Sequence, residues 1–275
     1  MTIYAIFYVL AAVLYLAAAF GIYKSFQAET PENTFWIRPV IVGGLMIQAF
    51  LIYEALFTHG TPHFGLALAL SITLFTCTLI LLIETLFSKI SAMLIFILPL
   101  AAVSMVLPII LPGTPLGPET ASFSFRMHLL LAILAYSLMT MALVQALLLV
   151  SAHNLLHQKK LSDEPEDGKV SLFERMPSVI EMEKILFRLI WAGFIALTIA
   201  ILFGLVFSEE LFGQAFRLDH KTIVTIMAWM IFGILLLGHH FLGWRGRFAA
   251  RWTVIGFTLL MLSYFGVRFV QEVIQ

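Results

Sequence analysis

Eight histidines are the residues of this 275-residue chain best equipped for chemistry, because a neutral imidazole ligates metals and a protonated one carries charge near neutral pH. Two of them have matching company. Arg126 stands two residues before His128, and Arg217 stands three before His220. A histidine pair on facing helices is a natural site for non-covalent b-type haem. Arginine forks bind carboxylates through two parallel hydrogen bonds, which suits the two propionates of that group. The repeated pairing of His with Arg therefore points to haem, with His128 and His220 as axial ligands of the iron and Arg126 and Arg217 on the propionates. The same four residues also fit as interfacial groups that snorkel at helix ends. A single cysteine, Cys77, leaves no CxxCH for covalent haem attachment, no CxxC redox pair and no internal disulfide.

Other titratable groups carry weaker expectations. His153 and His157 are spaced i, i+4 and share a helix face. His239 and His240 precede a basic turn, Gly243-Trp-Arg-Gly-Arg247. Glu54 and Glu84 lie within apolar runs, where a carboxylate usually has a partner, so a proton or cation path stays open beside the haem reading. The chain shows no Walker motif, GxSxG or HExxH, and no nucleophile–base pair in a defined site, so no enzyme is expected.

Composition sets the scaffold that must position these groups. Of the residues, 61% are hydrophobic and 12% charged, whereas soluble chains run about 45–50% apolar and about 25% charged. A core of this size cannot bury the excess, so lipid must face it. The formal net charge of zero argues against a nucleic-acid partner. Eight runs approach the roughly 20 apolar residues that span a bilayer, at about 3–23, 37–57, 64–87, 90–111, 125–150, 185–207, 221–242 and 252–274. The expected fold is all-α, a single polytopic bundle of about eight transmembrane helices. Residues 153–184, with Asp163-Glu-Pro-Glu-Asp167 inside, read as a loop followed by an amphipathic lead-in to the sixth helix. Pro99 and Pro108 should kink the fourth. The first run has no preceding Lys or Arg, so it reads as a retained helix rather than a signal peptide.

Charge then sets the orientation. Twelve of the 16 basic residues fall on one side: Lys24, Arg38, Lys89, Lys159, Lys160, Lys169, Arg175, Lys184, Arg188, Arg245, Arg247 and Arg251. Arg126, Arg217, Lys221 and Arg268 fall on the other. The first side is expected to be cytoplasmic, so both termini and the loops near 58–63, 112–124 and 208–220 face outward, the periplasm in a bacterium. His59, His63, His128 and His220 then sit at the outer boundary, and His153, His157, His239 and His240 at the inner one. His220 and His239, 19 positions apart, are separated by about 28 Å along a helix and cannot share a metal.

The carboxyl-terminal half carries a resemblance. Asp219-His-Lys-Thr222, Gly238-His239, Gly243-Trp-Arg-Gly-Arg247, Trp252-Thr253, Gly256-Phe257 and Tyr264-Phe-Gly-Val-Arg268 resemble the cytochrome c assembly superfamily (CcsA/CcmC/HemX-like), above all its YpjD-type inner membrane branch. The resemblance implies a haem-handling membrane protein of the bacterial inner (plasma) membrane that assists cytochrome c maturation or haem trafficking. Its implied partners are haem, the lipid bilayer and cytochrome c maturation proteins. It also implies that His128 and His220 are the outer haem histidines and that His239 belongs to an inner site. The family's tryptophan-rich WGxxWxWDPKE-type loop is absent. In its place the chain reads Phe212-Gly-Gln-Ala-Phe-Arg-Leu-Asp-His-Lys221, where only Asp219 and Lys221 echo the motif's end. Two alternatives accompany this reading: an accessory of divalent cation or proton transport, and a non-catalytic regulatory scaffold.

Overall fold

The structure is a computed structural model that describes residues 2–27, 35–57, 63–87, 92–111, 113–115, 122–159, 177–212 and 220–266. Its helices are α1 (Thr2–Gln27), α2 (Ile37–Phe57), α3 (Leu66–Phe87), α4 (Leu94–Ile110), α5 (Phe123–Lys159), α6 (Val179–Phe212), α7 (His220–Leu242) and α8 (Gly246–Met261). The last runs into a π-helical turn, Leu262–Gly266. Six of them, α1, α2, α3, α5, α6 and α7, are long and apolar enough to cross a membrane. The shorter α4 and α8 lie among them. The protein is an all-α polytopic membrane bundle.

Helix α1 packs on α2 and α4, and α3 packs on α2 and α4. Helix α5 packs along α6 and α8, and α7 joins α6 and α8. A seam between α3 and α5 connects the two groups of four. The outward faces are apolar: Ile6, Phe20, Met46, Val103 and Leu202 are all more than half exposed, as lipid contact requires. Inward faces rely on close approach and polar contacts, because lipid is as apolar as leucine and hydrophobicity does not drive helices together there. Between α1, α2 and α3, the Tyr15 hydroxyl donates to Gln48 Oε1 at 2.6 Å, and Gln48 Nε2 donates to the Ser71 carbonyl at 3.0 Å. A Cβ on Gly44 would stand 2.7 Å from the Tyr15 ring, so glycine lets α2 reach it.

Local signals decide the ends. Ser178 and Glu181 form a reciprocal capping box: Glu181 N–H donates to Ser178 Oγ at 3.3 Å and Ser178 N–H to Glu181 Oε2 at 3.2 Å. This starts α6 at Val179, ahead of its apolar run, while α5 continues to Lys159, so both ends of the 153–184 segment are helical. Ser122 caps α5 by accepting the Phe125 N–H at 3.1 Å. Helix α4 continues through Pro99 and Pro108. A short antiparallel pair, β1 (His63–Phe64) with β2 (Thr114–Pro115), sets His63 opposite Pro115. It ties the α2–α3 and α4–α5 connections together at one end of the bundle. Gly113, at φ 79°, permits this, since a side chain there would meet the Gly65 backbone at 2.9 Å.

Candidate haem-ligand site

Helix α5 enters the bundle with His128 in its second turn, against α6. The His128 ring lies on Gly204, where an added Cβ would stand 3.0 Å from Nδ1. Nδ1 is 2.8 Å from the carbonyl oxygen of Ala200. A carbonyl only accepts, so Nδ1 carries the proton and donates. In the neutral ring Nε2 then keeps its lone pair, the form of imidazole that ligates a metal. Histidine ligands commonly have such an outer hydrogen bond, which fixes the tautomer and the ring orientation.

His220 is the first residue of α7. One contact sets its depth: Trp229 Nε1 donates to Thr198 Oγ1 at 2.8 Å, which levels Trp229 of α7 with Thr198 of α6. Counting back from Trp229 to His220 moves roughly 13 Å towards the end of the bundle that carries His128. The two backbones thus share that end, with His220 roughly 7 Å nearer its rim by the same rise per residue. The side chain of His220, and Arg217, lie outside the described residues, as does His59. Arg126 is exposed. It precedes His128 by two positions, about 200° of helical rotation, so the two leave α5 on different sides.

The opposite end holds the other histidine singled out by the sequence. Helix α7 stops at Leu242, and Gly243 and Gly246 take φ of 67° and 58° to turn the chain into α8. The turn folds Trp244 back over Gly238, where an added Cβ would run into the indole. The Trp244 carbonyl then accepts from His239 Nδ1 at 2.9 Å, so in the neutral ring of His239 too the lone pair is on Nε2. Its other contact is Phe187 of α6, stacked on it at 3.5 Å. Glu183, one turn before Phe187, accepts the Gly246 N–H at 3.2 Å and pairs with Arg245 at 3.6 Å. Glu183 and Phe187 carry no motif; only their i, i+4 spacing at the start of α6 marks them as one face. His153 and His240 are exposed, and the side chains of His63 and His157 lie outside the described residues.

The two intramembrane carboxylates are engaged. Tyr4 donates to Glu54 Oε2 at 3.3 Å, and the guanidinium of Arg188 on α6 acts on Glu84. Among the described residues no three His, Cys, Asp or Glu side chains converge as a metal site.

The family model for the cytochrome c assembly protein matches residues 45–275. The chain belongs to the cytochrome c assembly protein family. The match leaves out α1 and the start of α2, and takes in His128, His220 and His239. Among similar proteins, inner membrane protein YpjD of Escherichia coli (strain K12) is 30% identical over 175 residues, covering 64% of this chain and 62% of that protein. Protein HemX of Brevibacillus brevis is 22% identical over 238 residues, 86% of this chain and 79% of its own length. The cytochrome c biogenesis protein CcsA of Chlamydomonas reinhardtii is 27% identical over 160 residues, 58% of this chain and 42% of its own. The match thus spans less than two thirds of YpjD's length. No solved structure matches the chain.

Proposed function

We propose that this member of the cytochrome c assembly family is a haem-binding protein of the bacterial inner membrane that assists cytochrome c maturation or haem trafficking. The observation that carries the reading is the setting of His128: at one end of the bundle its Nδ1 is 2.8 Å from the Ala200 carbonyl, so in the neutral ring Nε2 keeps its lone pair. That donor fits haem b, held non-covalently, whose iron takes a neutral imidazole on each face. In this reading His220 is the second axial ligand, and both termini lie on the periplasmic side. Arg126 and Arg217 are assigned to the propionates; Arg126 reaches them around the helix rather than from beside His128. His239, with the same hydrogen-bonded tautomer, is the histidine of an inner site. CcsA relatives are named for cytochrome c biogenesis, which supports maturation as the process served.

Absorption spectra of the protein purified in mild detergent test this directly. A Soret band with sharp reduced α and β bands is expected, lost from the outer site in His128→Ala and in His220→Ala without loss of fold. A colourless preparation that takes up no added haem would overturn the reading. Unchanged haem content in both variants would overturn the axial assignment.

A further inference from the structure

We propose that α6, which supplies no ligand, is the element that makes His128 a ligand, with Gly204 as the positioning residue. This inference rests on the haem reading above. The Ala200 carbonyl faces the N–H of Gly204 within the helix, and its second lone pair is taken by His128 Nδ1 at 2.8 Å. The imidazole reaches that lone pair with its Nδ1–Cε1 edge close against position 204. There its Nδ1 and Cε1 stand 3.0 and 3.1 Å from where a Cβ would be. Both distances are tighter than side chains normally tolerate. The crowding atoms belong to a rigid ring held at its far end by α5, so it has no flexible tip to move aside. A side chain at 204 pushes the ring back by a few tenths of an ångström and so lengthens its 2.8 Å bond to the carbonyl. With that bond weakened, the proton is held less firmly on Nδ1 and the other tautomer gains population.

The same logic recurs at the other end through different residues. His239 Nδ1 donates to the Trp244 carbonyl at 2.9 Å, and Trp244 reaches its place only because Gly238 has no side chain beneath the indole. In both cases a glycine without chemistry of its own brings a backbone carbonyl to Nδ1.

Gly204→Ala is the decisive variant. Alanine favours helix over glycine, so α6 itself is not weakened. Gly193→Ala is the control: it makes the same change in the same helix, and its Cβ would meet the flexible end of Met139 at 2.9 Å, three helical turns from His128. Two readouts separate the proposal from the reading beneath it. The first is haemin titration of the detergent-purified protein. Gly204→Ala is expected to bind about 10–100-fold more weakly than wild type, the usual effect of losing a ligand's outer hydrogen bond, while Gly193→Ala binds as wild type does. The second needs no haem: nitrogen-15 histidine spectra of the haem-free protein, with the His128 signal identified by its loss in His128→Ala. Wild type is expected to show the Nδ1-protonated form and Gly204→Ala a mixture. Should wild type bind no haem, the functional reading fails. Should wild type and Gly204→Ala bind alike while His128→Ala does not, or His128 carry its proton on Nε2 in wild type, the positioning role of Gly204 is overturned.

Discussion

Phe187 and His239 lie face to face, ring centroids 3.5 Å apart and planes 16° apart, joining the first turns of α6 to the last turn of α7. Phe187 is 5% exposed. With Phe187 covering one face of the ring and the Trp244 carbonyl engaging Nδ1, the imidazole has one orientation. The turn that supplies the carbonyl is itself held from α6 by Glu183.

The contacts of Glu183 differ in strength. Its hydrogen bond from the Gly246 N–H is charge-assisted and partly buried, a type that contributes about 1.5–3 kcal/mol. Its ion pair is with Arg245, whose side chain is 71% exposed, a type worth under about 1 kcal/mol. Glu183→Ala should therefore lower thermal stability in detergent clearly, and Arg245→Ala should barely change it. Glu183→Gln keeps an acceptor oxygen and should fall between them. Equal losses in Glu183→Ala and Arg245→Ala would show that the ion pair, not the backbone bond, holds the turn.

Gly238 supports the indole of Trp244. Gly238→Ala forces that ring away from α7, an overpacking cost of about 1–3 kcal/mol, and should shift the Trp244 contribution to near-ultraviolet circular dichroism. Shrinking the ring removes the clash, so Gly238→Ala should cost much less in a Trp244→Leu background. Additive losses in the double variant would mean that the two residues do not meet.

Much of this architecture is written in the order of residues, and part of it is not. Eight apolar runs become the eight α-helices of the described residues because hydropathy is a property of each residue and needs no tertiary partner. Histidines at run boundaries were visible for the same reason. What escaped is everything set by an approach between distant helices. The neighbours of His128 are Ala200 and Gly204, more than 70 positions away, and neither has chemistry to attract notice. Proximity in sequence is not proximity in space: Arg126 stands two residues from His128, yet helical rotation sends them to different sides of α5. The Ser178–Glu181 capping box also lies outside the apolar pattern, and it moves the start of α6 ahead of its apolar stretch.

The polar link between α1 and α2 is a stability element. Tyr15 and Gln48 are both fully buried and joined at 2.6 Å. Gln48→Leu leaves the Tyr15 hydroxyl unpaired and should cost about 1–2 kcal/mol, the upper end for hydrogen bonds between membrane helices. Tyr15→Phe should cost less, and the double variant less than the sum of the two, because each single change strands the other's partner. Thermal unfolding of the three variants in one detergent measures this. Strict additivity would mean that the bond contributes nothing.

Orientation can be tested with the chain's own cysteine. Cys77 is fully buried, so an impermeant maleimide should leave wild type unlabelled, and each introduced cysteine reports its own position. The β1–β2 pair places the α2–α3 and α4–α5 connections at one end of the bundle, and the charge pattern of the sequence assigns the excess of Lys and Arg to the opposite side. Thr61→Cys and Thr120→Cys should therefore both be labelled from outside in intact spheroplasts. Ser171→Cys, between α5 and α6, should be labelled only after lysis. With eight crossings, a reporter fused after Gln275 should join the first group. Labelling of Ser171→Cys alone in intact spheroplasts would invert the orientation. A reporter on the side opposite Thr61 would instead mean an odd number of crossings after α2, and α8 would then be the helix that does not span, since the β1–β2 pair returns α4 to the end where α3 starts.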